Sequence, residues 1–178
     1  MEGVERYQVR LLPHQEAWER EFLAVRRLLW ETLGSVALDI QHVGSTAMRG
    51  LEAKPILDVA VLVRSFGEMN AAGLTARGYE DCGESGVSGR RLFVLRDGTL
   101  SLRHIHCYEP GDPSFGAQVR FRDYLNAHPG EARAYGALKR ALAAEYAGDR
   151  ARYTAGKHAF IQRVLAESAG EGSGKREK

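Results

Sequence analysis

The segment from Gln41 to Val63 limits the folds open to this chain more than any other part of the sequence. An apolar run leads into the turn Gly44-Ser45. After Lys54-Pro55 comes a second aliphatic run, of the kind typical of a strand covered on both faces. Asp58 interrupts this second run, and a carboxylate there is costly unless it meets a cation, a metal or several donors. Asp58 is therefore a candidate functional residue, or it lies at the strand end and caps a neighbouring turn.

The turn itself has the residue types that anion binding requires. Glycine at position 44 permits positive φ and close approach of the backbone. Ser45 and Thr46 can supply hydroxyls and cap a short helix, which we expect over residues 45–51. Amides at such a helix start face an anion. Gly44, Ser45 and Thr46 are therefore candidates for binding a phosphate group.

Hydrophobic periodicity predicts an α+β fold, with a mixed sheet of about four or five strands flanked by helices. Trp18, Phe22, Val25 and Leu29 have helical spacing, and Pro13 suits the first turn of their helix. Strands are predicted over residues 36–43, 56–63, 91–95 and 100–108, with a helix over 65–77. Asp97-Gly98 is a hairpin signal between the last two strands.

The chain becomes wholly helical after the last strand. Three helices are expected, ending near residues 127, 147 and 167, with a break at His128-Pro129-Gly130. We therefore predict one domain over residues 1–168, with its sheet part at about 10–110 and its helical part at about 113–168. Residues 169–178 are predicted to be a disordered tail, because they contain no apolar side chain larger than that of Ala169.

Composition narrows the choice of partners and compartment. The net charge of +2 does not indicate a nucleic-acid partner, although residues 120–163 hold nine basic against four acidic residues. That region suits a polyphosphate, or its charges are solvated helix faces. Cys82 and Cys107 have no CxxC spacing and indicate reduced thiols of a cytoplasmic protein. No apolar run is long enough to predict a membrane span.

Several separated blocks of the chain resemble the GrpB family, also called UPF0157. They are HVGSTA at 42–47, AKPILD at 53–58, GVSGR at 86–90, HIH at 104–106, FRDYL at 121–125, and Tyr153 with Lys157. The Gly-Ser turn followed by an Asp-bearing strand is also similar to the nucleotidyltransferase superfamily, in which Gly-Ser holds a triphosphate and strand carboxylates bind Mg²⁺. The resemblance implies a nucleotidyltransferase-like fold, a nucleotide or phosphorylated small molecule as ligand, and Asp58 as the catalytic metal-binding carboxylate.

One departure from that superfamily concerns the metal. A second carboxylate is normal two residues after the first, on the same strand face, but this chain has Ala60 there. His104 and His106, also two apart, could replace it. An Asp with two His suits Mn²⁺ or Zn²⁺ better than Mg²⁺. We therefore expect Asp58, His104 and His106 to hold one divalent metal, or the two histidines simply to line a polar cleft.

Four basic residues complete the candidate substrate site. The Gly- and Ser-rich segment 81–91 ends in Arg90, whose planar fork suits phosphate, although the segment could equally be a mobile connection. Lys157 falls on an apolar helix stripe and either extends to solvent or meets a phosphate. Lys54 belongs to a family block. Arg122 pairs with its neighbour Asp123 or clamps substrate.

Three functions remain open from the sequence. The first is a metal-dependent nucleotidyltransferase-like protein that binds a nucleoside triphosphate. The second is a binding module without catalysis, which Ala60 favours. The resemblance to the GrpB family implies that such a module is linked to nucleotide or coenzyme A metabolism. The third is a metallohydrolase that uses Asp58 with the histidine pair.

Overall fold

The computed structural model describes residues 1–5 and 7–173, with side chains through Gly170. In chain order the strands and helices are β1 Val4–Glu5, α1 Ala17–Leu33, β2 Ala37–Val43, β3 Leu57–Val63, α2 Ala71–Thr75, β4 Tyr79–Asp81, β5 Arg90–Asp97, β6 Leu100–Tyr108, α3 Pro113–Ala127, α4 Pro129–Glu145, α5 Arg150–Ala155 and α6 His158–Ser173. Single 3-10 turns lie at Gly34–Val36 and Ser45–Ala47. None of the helices within these residues is both long and apolar enough to cross a membrane.

The strands form one mixed sheet in the order β2-β3-β6-β5-β4, and β1 pairs with the start of β6. β3 and β6 are parallel, and the other pairs are antiparallel. The predicted α+β class and mixed sheet are confirmed. Strands β1 and β4 have only two and three residues, too few for a visible alternation in the sequence.

Helices cover both faces of the sheet. Because side chains alternate along a strand, Leu57, Val59 and Val61 of β3 face α1 and α2 in the main core. Asp58 and Ala60 face the opposite side, where the C-terminal helices lie. A second core, around Phe121 and Val164, joins those helices to each other. The candidate site is therefore on the face of the sheet away from α1.

Three predicted helices in the first half of the chain are shorter in the structure. The helix predicted over 65–77 is wrong for its first half, because α2 begins only at Ala71. Ser65 Oγ accepts a hydrogen bond from the Gly67 amide and forms a turn there. The Asn70 side chain accepts a hydrogen bond from the Gly73 amide and caps the start of α2. The helix expected over 45–51 is one 3-10 turn. Helix α1 begins only at Ala17, so Pro13 does not lie in its first turn, where the sequence predicts it.

The last predicted helix is divided into α5 and α6 at Gly156. A Cβ at that position would lie 2.5 Å from Leu142 Cδ2, so the backbone packs directly on α4. Helix α6 then runs to Ser173, which corrects the disordered tail predicted to begin at residue 169. The rest of that predicted tail, 174–178, lies outside the described residues.

Candidate functional site

A cavity of about 1060 Å³ lies between the site face of the sheet and the C-terminal helices. Strand β3 contributes Asp58, and β6 contributes His104 and His106. The described residues that line it include five Lys or Arg side chains and a single carboxylate, that of Asp58. A cavity of this size and charge suits an anionic small molecule.

The three predicted metal ligands converge in this cavity. In the parallel register Asp58 lies beside His104, and Ala60 lies beside His106. The Asp58 Oδ1 atom is 3.2 Å from His104 Nδ1 and 3.1 Å from His106 Nε2. The side chains are largely enclosed, with exposed fractions of 29% for Asp58, 12% for His104 and 13% for His106. The sequence spacing on each strand and the pairing of the two strands together produce this cluster.

The donor set fits one divalent cation. The three candidate ligand atoms lie within 4.8 Å of one another. Ligands at zinc-like distances of about 2.0–2.2 Å from one ion are separated by roughly 3–3.5 Å. The two Asp58–His contacts of 3.1–3.2 Å lie in that range. One carboxylate and two imidazoles form a borderline ligand set, which suits Mn²⁺, Fe²⁺ or Zn²⁺ better than Mg²⁺.

The histidines also determine the charge of Asp58. Burial by itself would raise the pKa of this carboxyl group, but the hydrogen bonds and charge of His104 and His106 hold it well below its usual range. Burial lowers the pKa of His104, and the nearby Asp58 carboxylate only partly opposes this effect. The site therefore presents an ionised carboxylate next to an imidazole that burial keeps neutral, and these are the forms that bind a metal.

Gly44, directly after the end of β2, lies in close contact with the Asp58 side chain. Its backbone has φ 70° and ψ −174°, a conformation open to glycine. A Cβ at this position would lie 2.6 Å from Asp58 Oδ2. Gly44 and Ser45 both line the cavity. The predicted Gly-Ser turn thus opens onto Asp58.

Two lysines share one aromatic ring in the cavity. The ammonium nitrogens of Lys54 and Lys157 lie 5.4 Å and 4.5 Å from the centre of the Tyr153 ring. Within the described part of the chain, neither ammonium donates a hydrogen bond to another residue. Burial, together with Arg150 and Lys157, lowers the pKa of Lys54 to about 7, and burial lowers that of Lys157 to about 8. The Asp58 carboxylate opposes this lowering of the pKa at both lysines, and an anionic ligand in the cavity would add further negative charge beside them.

Arg150 and Tyr153 line the same cavity, although the sequence analysis did not select them as site residues. Arg150 was visible only as one of many basic residues, and nothing in its local pattern set it apart. Tyr153 belongs to a family block and lies four residues before Lys157, on the same helix stripe, a position that in the sequence is typical of packing. Their position becomes visible only in the folded chain, where α5 packs on α4 and lines the cavity with Asp58 and the two histidines.

Arg90 connects the loop of residues 83–89 to the metal-ligand cluster. Its guanidinium donates to the carbonyls of Glu84 and Ser85, at 3.0 Å each from Nη2. Arg90 Nη1 lies 3.4 Å from His106 Nδ1. Arg90 lines the cavity, and the carbonyls of its own loop hold its guanidinium there.

Two predicted substrate residues lie elsewhere. Thr46 and Arg122 line a second cleft of about 700 Å³. The Thr46 hydroxyl is 3.0 Å from His42 Nε2, and Arg122 donates to the His42 carbonyl and to Gln41 Oε1. The 3-10 turn directs consecutive side chains to different sides, so Ser45 faces the cavity and Thr46 does not. We correct the expectation that Thr46 and Arg122 contact the same ligand as Ser45.

The fold and site define an α+β protein with a cationic cavity around a candidate Asp/His metal site. Residues 8–167 match the family model described as GrpB protein, and the chain belongs to the GrpB family. The glutamate-rich protein GrpB of Alkalihalophilus pseudofirmus is 36% identical over 173 residues, covering 94% of this chain and 99% of that protein. A crystal structure of GrpB from Enterococcus faecalis has 30% identity and a TM-score of 0.84, covering 91% of this chain and 98% of that one.

Two further relatives are longer than the matched region. The UPF0157 protein YqkA of Bacillus subtilis is 35% identical over 156 residues, which are 86% of this chain and 45% of that protein. A dephospho-CoA kinase of Mycolicibacterium paratuberculosis is 25% identical over an alignment of 186 residues, gaps included, that covers 89% of this chain and 46% of the kinase. The chain thus spans less than half the length of these two relatives.

Proposed function

We propose that this protein is a nucleotidyltransferase-like protein that binds a nucleoside triphosphate, or a related phosphorylated small molecule, together with one divalent metal. The observation that carries the proposal is the convergence of Asp58, His104 and His106 in a cavity whose other charged lining residues, among those the structure describes, are all basic. A metal site next to several ammonium and guanidinium groups matches the charge of a metal-bound polyphosphate.

Each part of the cavity has a distinct task in this proposal. Asp58, His104 and His106 would hold the metal, which when bound supplies Lewis-acid stabilisation of phosphoryl oxygens. Lys54, Lys157 and Arg150 would neutralise the phosphates. Arg90 offers a planar guanidinium. The Gly44-Ser45 turn brings its backbone close to Asp58 and so positions the phosphate chain near the carboxylate.

A binding module without catalysis is the second candidate, and the environment of position 60 favours it. Ala60 is fully buried and packs with Val43 and Tyr108, with Phe115 and Val119 of α3 against them. The second strand carboxylate of a two-metal phosphoryl-transfer site is therefore absent, and its place is covered. The similarity to a dephospho-CoA kinase supports a ligand from coenzyme A metabolism for such a module.

The test of binding is calorimetric titration with ATP, GTP, CTP, UTP and dephospho-CoA, each with Mn²⁺ or Mg²⁺. The proposal expects binding of at least one of them, and thermal stabilisation of roughly 2.7 kcal/mol at 100 times its dissociation constant. Arg150→Met should weaken binding at least about tenfold, because it removes a charge-assisted contact. Arg152→Met is the matched control, since Arg152 lies on the same helix, is 74% exposed and pairs with Asp149.

The fate of the same ligands after incubation with the protein distinguishes the three candidate functions. Release of pyrophosphate from a bound triphosphate in the presence of an acceptor supports nucleotidyl transfer. Binding with an unchanged ligand after long incubation supports the binding module. Loss of a phosphate to water, abolished by Asp58→Asn, supports an Asp/His metallohydrolase. No heat and no stabilisation with any ligand would refute the proposal.

A further inference from the structure

The contact between Arg90 and His106 fixes the position of one hydrogen atom. Arginine carries only donors, so the His106 Nδ1 atom that faces Arg90 Nη1 at 3.4 Å has to be an acceptor. A neutral imidazole then carries its hydrogen on Nε2. That nitrogen lies 3.1 Å from Asp58 Oδ1, so it donates to the carboxylate. Arg90, His106 and Asp58 thus form a continuous chain of donors and acceptors.

A metal at the candidate site needs the opposite arrangement. His106 would ligate through Nε2, the ring atom nearest Asp58, and a ligating nitrogen has no hydrogen. The ring hydrogen would then be on Nδ1, where it faces an N–H of Arg90. Two donors cannot share that contact, and the positive guanidinium also repels a cation.

We propose that Arg90 and a divalent metal compete for His106, so that metal binding displaces the guanidinium from the ring and frees it for an anionic ligand. This inference rests on the proposed metal site. Arg90 acts here as a positioning residue, since it reaches the metal only through His106. The loop of residues 83–89 is part of the change, because the same guanidinium holds the carbonyls of Glu84 and Ser85.

The competition also couples the two ligands of the cavity. An anion that draws Arg90 away from His106 leaves the ring free to adopt the metal-binding form. A metal that occupies His106 releases Arg90 toward the anion. Because such coupling is reciprocal, each ligand raises the affinity of the protein for the other.

The experiment measures metal affinity and the position of the ring hydrogen separately. Co²⁺ and Zn²⁺ are titrated into the wild-type protein, Arg90→Met and Arg91→Met. Arg90→Met should bind them at least about tenfold more tightly, the size of effect common for partners of metal ligands. Arg91→Met is the control, since Arg91 is the adjacent arginine but pairs with Asp81 instead. Nitrogen-15 NMR of the metal-free wild type should show the His106 hydrogen on Nε2, and Zn²⁺ should move it to Nδ1.

Each outcome decides the inference. Equal metal affinity of the wild type and Arg90→Met overturns the competition but leaves the metal site standing. A metal-free His106 with its hydrogen on Nδ1 overturns the competition without any variant, so the test does not depend on how Arg90→Met folds. Absence of binding to all three proteins overturns both the competition and the metal site. Binding to Arg90→Met alone supports both.

Discussion

Replacing Gly44 with alanine tests how the turn and Asp58 depend on each other. The backbone at Gly44, with φ 70° and ψ −174°, costs a residue with a side chain about 1–3 kcal/mol. The new Cβ would lie 2.6 Å from Asp58 Oδ2 and 2.9 Å from Asp58 Cβ. Rotation of the carboxylate relieves the first contact but not the second, because Cβ is fixed to the backbone. Overpacking of this kind costs about 1–3 kcal/mol more.

Gly44→Ala should therefore lower the free energy of unfolding by about 2–6 kcal/mol, measured by urea denaturation. Gly34→Ala is the control, because Gly34 has a comparable backbone, with φ 56° and ψ −139°, but open space around its missing Cβ. Gly34→Ala should lower the free energy of unfolding only by the cost of the backbone conformation, about 1–3 kcal/mol, and should leave any metal affinity unchanged. Equal losses in the two variants would show that the contact between Gly44 and Asp58 is not tight, and would refute the reasoning.

Four further predictions concern the site face and the core. Because burial lowers the folded-state pKa of Lys54 to about 7, the unfolded chain binds more protons between pH 7 and the ordinary lysine range. Stability should thus rise with pH there, and Lys54→Met should flatten the rise and stabilise the protein at pH 6 by about 1 kcal/mol or more, in denaturation curves at several pH values. Metal binding, followed by Co²⁺ absorbance, should weaken as pH falls through the histidine range and disappear in Asp58→Asn. Leu29→Ala in the main core should cost about 2–5 kcal/mol in urea, whereas Leu23→Ala on the exposed face of the same helix should cost less than about 1 kcal/mol. Ala60→Asp should lower the melting temperature and gain no metal affinity, and an active second metal site in that variant would contradict the structure.

Rules of local periodicity were sufficient to predict much of the site. The period of two places His104 and His106 on one face of β6, and it places Asp58 opposite the apolar face of β3. The glycine at position 44 predicts a close approach of the backbone to another group, and in the structure that group is Asp58. In each case the decisive information lies within a few residues of the side chain concerned.

The residues that the sequence analysis missed or misplaced depend on tertiary geometry instead. Arg150 lines the cavity from α5, which ends before Gly156, where the backbone packs closely on α4. Thr46 turns away because its segment is a single 3-10 turn rather than a longer helix. Arg122 meets the carbonyl of His42 across 80 residues of chain. No local pattern distinguishes these orientations, because the competing arrangements differ only in long-range contacts.

Position 60 connects the fold to the choice of metal ligands. Ala60 follows Asp58 on the same face of β3 and lies beside His106, but α3 covers it with Phe115 and Val119. A carboxylate at this position would be buried against apolar side chains, at a cost that only a cation could offset. The small side chain instead lets α3 pack on the sheet, while His106 on the adjacent strand reaches back to Asp58. The candidate ligands thus include the imidazole of His106 and no second carboxylate. This ligand set is why we expect one transition-metal ion here in place of a pair of Mg²⁺ ions.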